Sequence, residues 1–193
     1  MKNKKISFET DFWTVPGIED SFEVIDAFID YGHIDYYKQV LGEALLFTQT
    51  EEVYKKEHPG EVFIFYTAMR SFLRACSCLE HKSKKWRAKG RGDACTSVLH
   101  RASLTEKEYA DPFLVFRNAF AIRPLGDFEV FLCETIHLSL SKYMPGYEID
   151  LLTPYIHLIK MLDAAQVLKE RGVEKIKKRE AEDAGLDGTE ALG

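Results

Sequence analysis

Between Arg70 and Arg101 the chain carries nine lysines and arginines, at positions 70, 74, 82, 84, 85, 87, 89, 91 and 101, against two acids, Glu80 and Asp93. That segment holds +7 and leaves −12 for the rest of a chain whose formal charge is −5. Clustered cations neutralise phosphates or carboxylates without reading a sequence, and an aromatic ring among them, here Trp86, can stack on an unpaired base. Arg70, Arg74, Lys82, Lys84, Lys85, Trp86, Arg87, Lys89 and Arg91 are therefore the candidate surface for nucleic acid or for an acidic partner. The same residues also suit a plainer role, as a solvated helix face and loop, or as a patch that pairs with the chain's own acids.

Arg70, Arg74, Ser77 and His81 follow one another at spacings of four, three and four, which on a helix draws one narrow stripe. Within it, Arg74 and His81 suit phosphodiester cleavage, with the imidazole as general acid or base and the guanidinium stabilising charge on phosphorus. Their Arg-x6-His spacing resembles the catalytic pair of the HEPN-type ribonucleases, small helical proteins that cleave RNA without a metal. The resemblance covers two residues, and Ala75 stands where that family usually has a polar residue, so it does not make the chain a member. Glu134-x-x-His137 and Asp30-x-x-His33 have the spacing of a carboxylate and imidazole on one iron in a helical bundle. Glu134 and His137 project away from the apolar face of their helix, however, and a bundle-core metal needs inward ligands. Cys76, Cys78 and His81, with Cys95 and His100, offer zinc-type donors. Two helical positions two apart point about 200° from each other and do not readily share one ion. No metal or cofactor is expected. His157 reads as a satisfied, partly buried histidine. Glycine-rich phosphate loops, nucleophile elbows and zinc-protease pairs are missing from the sequence.

The elements that must carry these residues read as helices. Asp20 or Ser21 caps a helix through Phe22, Ile25, Ala27 and Phe28 to a break near Gly32, and a second covers Ile34 to Phe47. After His58-Pro59-Gly60, the apolar residues Val62, Phe65, Tyr66, Met69, Phe72, Leu73, Cys76 and Leu79 share one wide arc, which predicts a helix from Glu61 to about His81. Residues 82–93 have two glycines and no apolar period and read as an exposed loop. Thr105-x-x-Glu108 has the capping-box pattern, and Asp111-Pro112 opens a helix through Phe120. Asp127 is expected to cap a helix over Phe128, Phe131, Leu132, Ile136, Leu140 and Tyr143, ended by Pro145-Gly146. The last helix starts at Thr153-Pro154 and stops at Gly172.

With 193 residues, 46% hydrophobic and 12% aromatic, the chain has enough apolar surface for one core without disulfides or metal. The expectation is an all-α single domain, an irregular bundle of about five to seven helices over residues 19–172. An N-terminal arm, 1–18, packs through Phe8, Phe12 and Trp13. A charged tail, 173–193, is in part disordered. Met1-Lys-Asn-Lys-Lys-Ile-Ser lacks the apolar stretch of an export signal, and the run Val62–Met69 is short for a bilayer. Reduced cysteines, a cytoplasmic location and no membrane association follow from that reading. Functionally it favours a non-catalytic interaction or regulatory module that binds a protein partner or a second copy of itself. Nucleic-acid binding through residues 82–91 is the alternative, and ribonuclease chemistry the remoter one.

Overall fold

Asp20 has extended backbone, and its Oδ1 accepts the Phe22 N–H at 2.8 Å. That bond satisfies one of the donors a helix leaves open at its start. Helix α1 then runs over Ser21–Tyr31. The computed structural model describes residues 8–56, 58, 60–90, 102–142 and 150–176. Within them, α2 spans Ile34–Phe47, α3 Gly60–Lys82, α4 Glu106–Ala110, α5 Phe113–Ile122, α6 Leu125–Ser139 and α7 Leu152–Arg171. The described residues thus form an all-α bundle of seven helices, with one short ribbon made of β1, Trp86–Ala88, and β2, Val173–Lys175.

Helix α3 is the axis. Its predicted arc is its buried face: Val62, Phe65, Met69, Phe72, Leu73, Cys76 and Leu79 are all buried, and α1, α5 and α6 lie along it. By length and composition α3 is apolar enough to cross a membrane, which the run Val62–Met69 alone did not suggest, but most of it is covered by the rest of the bundle. The segment before α1 packs back on this axis. Phe8 and Trp13 are buried, and Trp13 Nε1 donates to Ser71 Oγ at 3.1 Å. Phe12 is 58% exposed and meets Phe63 edge-on.

Local signals set several boundaries. His33 Nδ1 accepts the Asp35 N–H and starts α2. Thr105 and Glu108 form the reciprocal capping box at α4. Asp111 Oδ1 accepts the Phe113 N–H at 3.2 Å.

Three expectations need correction. Helix α6 starts at Leu125, so Asp127 lies in its first turn and caps nothing, because Pro124 already supplies an extended entry. The helix ends at Ser139, short of Leu140, while Tyr143 and Pro145-Gly146 lie outside the described residues. Residues 86–88, read as loop, and 173–175, read as the start of the tail, pair antiparallel with Arg87 opposite Glu174. Three-residue strands are too short to show alternation in sequence, and their partner lies most of the chain away.

Gly172 turns α7 into β2 at φ 70° and ψ 172°, a region essentially reserved for glycine. A Cβ there would meet the Lys89 side chain at 3.6 Å, an ordinary contact. The cost of Gly172→Ala is therefore the backbone's own, about 1–3 kcal/mol. It should appear as a lower urea midpoint at unchanged slope; an unshifted midpoint would mean that the turn relaxes without penalty.

Candidate functional site

The candidate cations divide into two groups. Arg70 and Arg74 stand one turn apart on α3, and each meets the same two acids. Arg70 donates through Nη1 to Glu9 Oε1 at 2.9 Å and through Nε to Glu129 Oε1 at 3.2 Å. Arg74 Nε donates to Glu129 Oε1 at 2.6 Å, and its Nη1 lies 3.6 Å from Glu9 Oε1. Glu129 comes from α6, and Glu9 from the segment before α1. Two guanidinium and two carboxylate groups, none with more than 30% of its side chain exposed, form a neutral clasp between three parts of the chain. Burial works against the charge on Arg70, but Glu9 and Glu129 hold its pKa above the usual value. Glu9 sits at φ 55°, in the left-handed region, and its Oε2 is buried without a hydrogen-bond partner among the described residues. A non-glycine residue in that conformation costs roughly 1–2 kcal/mol, which the clasp offsets.

Arg74 and His81, the pair with ribonuclease spacing, have different surroundings. Arg74 is engaged with the two carboxylates, whereas His81 lies two turns further on, 79% exposed, with Nδ1 2.7 Å from Glu80. Seven helical residues advance about 10 Å along the axis, and Arg74's hydrogen bonds hold it at the clasp. Phosphate reaching Arg74 would have to displace Glu9 or Glu129.

Beyond the end of α3, Lys82 donates to Asp20 Oδ2 at 2.5 Å and lies 4.6 Å over the Phe22 ring. Burial opposes ionisation of Asp20, yet the Lys82 bond and the Phe22 N–H keep its carboxyl below the usual range. Arg87 Nε donates to Glu174 Oε1 at 2.8 Å across the ribbon. Trp86 is half-buried, 5.2 Å from the Phe22 ring and with Lys175 Nζ 5.4 Å over its own. It anchors the ribbon to the core and does not stand free as a stacking platform. Lys84, Lys85 and Lys89 are exposed and have no acidic partner among the described residues. Exposure alternates along 85–89, so Lys85, Arg87 and Lys89 face outward while Trp86 and Ala88 face the bundle. Arg91, Cys95, His100 and Arg101 lie outside the described residues.

No protein-family model matches this chain, no curated protein resembles it, and no solved structure does.

The remaining candidates are scattered. Asp30 binds Lys169 and His33 caps α2. His137 is exposed and Glu134 half-buried. Cys76 is fully buried, with burial pushing its thiol well above the usual range, and burial raises that of Cys78 as well. Among the described residues no three histidine, cysteine or acidic side chains converge on a point a metal could occupy.

Between α5 and α7 lies an open groove of ≈ 390 Å³ whose lining includes His157, Lys160 and Glu108. Lys160 Nζ donates to both oxygens of Glu108 at 2.9 and 2.8 Å. The His157 ring meets Phe128 edge-on and makes no hydrogen bond among the described residues. His157 is half-buried, as expected, and lines the groove without a hydrogen-bond partner among the described residues. The helical spacing of Ile156, His157 and Lys160 was legible; that α5 lies across from them was not.

Proposed function

We propose that this protein is a non-catalytic interaction module whose contact surface is the basic tip at the end of α3 and along β1, and whose partner is a protein with an acidic segment. The observation that supports this is selective neutralisation. Arg70, Arg74, Lys82 and Arg87 are matched by the chain's own carboxylates, while Lys84, Lys85 and Lys89 project from the same region without such a match among the described residues. A chain of net −5 that keeps these charges exposed presents a local positive field on an acidic molecule, which favours encounter and orientation of an acidic surface.

Single-stranded nucleic acid is the second reading, favoured by the outward row Lys85, Arg87, Lys89. Residues two apart on a strand are about 7 Å from each other, a spacing that suits an extended polyanion. With Trp86 packed under Phe22, that binding would lack stacking, and would be purely electrostatic and steep in salt. The ribonuclease reading draws least support, since Arg74 is already committed to Glu9 and Glu129.

Fluorescence anisotropy tests both, with labelled polyglutamate peptide, single-stranded RNA and duplex DNA titrated over a salt series. The acidic peptide should bind, and a Lys84→Ala/Lys85→Ala/Lys89→Ala variant should bind about tenfold or more weakly, because each exposed contact contributes up to about 1 kcal/mol. RNA binding that exceeds peptide binding would move the assignment to nucleic acid. Silence from all three probes at low salt would remove the basic tip as a binding surface.

A further inference from the structure

The groove between α5 and α7 is built differently from the basic tip. Both walls carry an exposed apolar side chain, Ile122 of α5 at 60% and Ile156 of α7 at 45%, while Asn118 adds a polar group to the α5 wall. Leu152, one turn before Ile156 on the same helix, is 64% exposed and extends the apolar strip beyond the groove. At the other end the lining changes character. Lys160 lies one turn beyond Ile156, with His157 beside it, and Glu108 of α4 completes the lining there. The groove therefore combines apolar side chains on both walls with an ionic end, and its ≈ 390 Å³ falls within the range of small-molecule clefts, about 300–1,000 Å³.

The charges at the ionic end come from every element around it. Lys160 of α7 is bound to Glu108 of α4, and Arg123, at the end of α5, is bound to Asp150. These two pairs cancel. Phe128, the α6 residue against the imidazole, is not ionisable. Among the described residues there, His157 is the titratable group without an ion-pair partner. Burial, then Lys160 and Arg123, lower its pKa, with Glu108 acting the other way. These surroundings favour the neutral imidazole, and an anion placed against it would favour the imidazolium.

We infer that the α5–α7 groove is a binding site for an amphiphilic monocarboxylate, with the hydrocarbon chain along Ile122 and Ile156 and the carboxylate at His157 beside Lys160. The apolar wall selects the chain, since each methylene removed from water contributes about 0.8 kcal/mol. The imidazole, without a hydrogen-bond partner among the described residues, selects the head group. A carboxylate at His157 stabilises the imidazolium, so binding draws in a proton, and by linkage acidification from pH 7.5 towards 6 tightens the complex. This site is separate from the basic tip and stands or falls independently of it.

The test is isothermal titration of the full chain with sodium octanoate, in two buffers of different ionisation enthalpy, with 1-octanol as the uncharged comparison. Expected are saturable binding of octanoate, proton uptake revealed by a buffer-dependent heat, and at least tenfold weaker binding of octanol. His157→Gln should weaken octanoate about tenfold and abolish the proton uptake. Ile156→Ser, at a position exposed enough to leave folding intact, should weaken octanoate and octanol alike. Absence of saturable octanoate binding overturns the assignment. So does binding that His157→Gln leaves unchanged in both affinity and proton uptake, or octanol binding as tight as octanoate.

Discussion

Phe28→Ala should cost about 3–5 kcal/mol, the loss typical of emptying a buried aromatic site. Phe28 has no solvent exposure. Its ring stacks on Tyr37 of α2 at 3.8 Å between centroids and on Phe72 of α3 at 4.6 Å, and Trp13 meets it edge-on at 6.2 Å. One side chain of α1 thus joins two other helices and the N-terminal segment. Removing it vacates space that none of these rings can fill without leaving its own rotamer, and it also removes ring–ring attraction of about 0.5–1.5 kcal/mol per pair. The Tyr37 hydroxyl donates to the Phe28 carbonyl at 3.0 Å, a backbone contact the substitution keeps, so the loss is one of packing. Against a total stability of about 5–15 kcal/mol for a domain, the variant should unfold at a much lower urea concentration, measured by far-ultraviolet circular dichroism. Phe63→Ala, at a ring 52% exposed, should stay within about 1 kcal/mol of wild type. Equal effects of the two substitutions would show that the Phe28 stack is not the centre of the core.

That stack shows how far the sequence could be read. The period of α3 identifies Phe72 as inward, and the pattern before Gly32 does the same for Phe28, because burial imposes a helical repeat on each segment separately. That the two rings touch is a property of how α1 crosses α3, and no residue near either one encodes it. The charged residues follow the same division. The stripe Arg70, Arg74 and the surplus of acid elsewhere were legible, and so was the option that one neutralises the other. The partners, Glu9 and Glu129, lie 61 and 59 residues from Arg70, and only the packing of α6 and the N-terminal segment on α3 selects them from the chain's many acids. The placement of Trp86 has a related cause. A tryptophan among lysines looks exposed by composition, yet the strand alternation that turns it inward arises from pairing with residues 173–175, which only the closed fold supplies.

The proposed contact surface is legible to the extent that it depends on residue type. A lysine-rich segment announces positive charge, but which lysines stay available depends on where acids fall in space. Asp20 matches Lys82 and Glu174 matches Arg87, leaving the lysines that the binding experiment addresses. The groove at His157 is the converse case. A histidine without neighbours of obvious purpose in sequence gains them when α4, α5 and α7 come together, and its place in the groove is an outcome of that assembly.

Asp163→Ala should destabilise by about 3 kcal/mol, near the lower end for breaking a buried ion pair by removing one partner. The Asp163 side chain is 7% exposed and in the middle of α7. Its Oδ1 receives Lys38 of α2, and its Oδ2 receives the Ser103 N–H at 3.0 Å and the Ser103 hydroxyl at 2.6 Å. One carboxylate therefore fastens α2 and the segment before α4 to α7. Alanine leaves three donors facing a void. Lys38 retains 23% exposure and can recover some hydration, which sets the loss below that of a fully buried charge; the Ser103 amide is left with the desolvation cost of an unmade bond, about 1–3 kcal/mol. Replacing both members, Lys38→Met with Asp163→Leu, removes the stranded cation and restores apolar contact, so the double variant should be more stable than the sum of the two single losses by about 1–3 kcal/mol. Urea denaturation of the four proteins in the cycle measures that coupling directly. Strict additivity would mean that the Lys38–Asp163 contact contributes nothing beyond the two residues separately, and would leave Ser103 as the group that Asp163 serves.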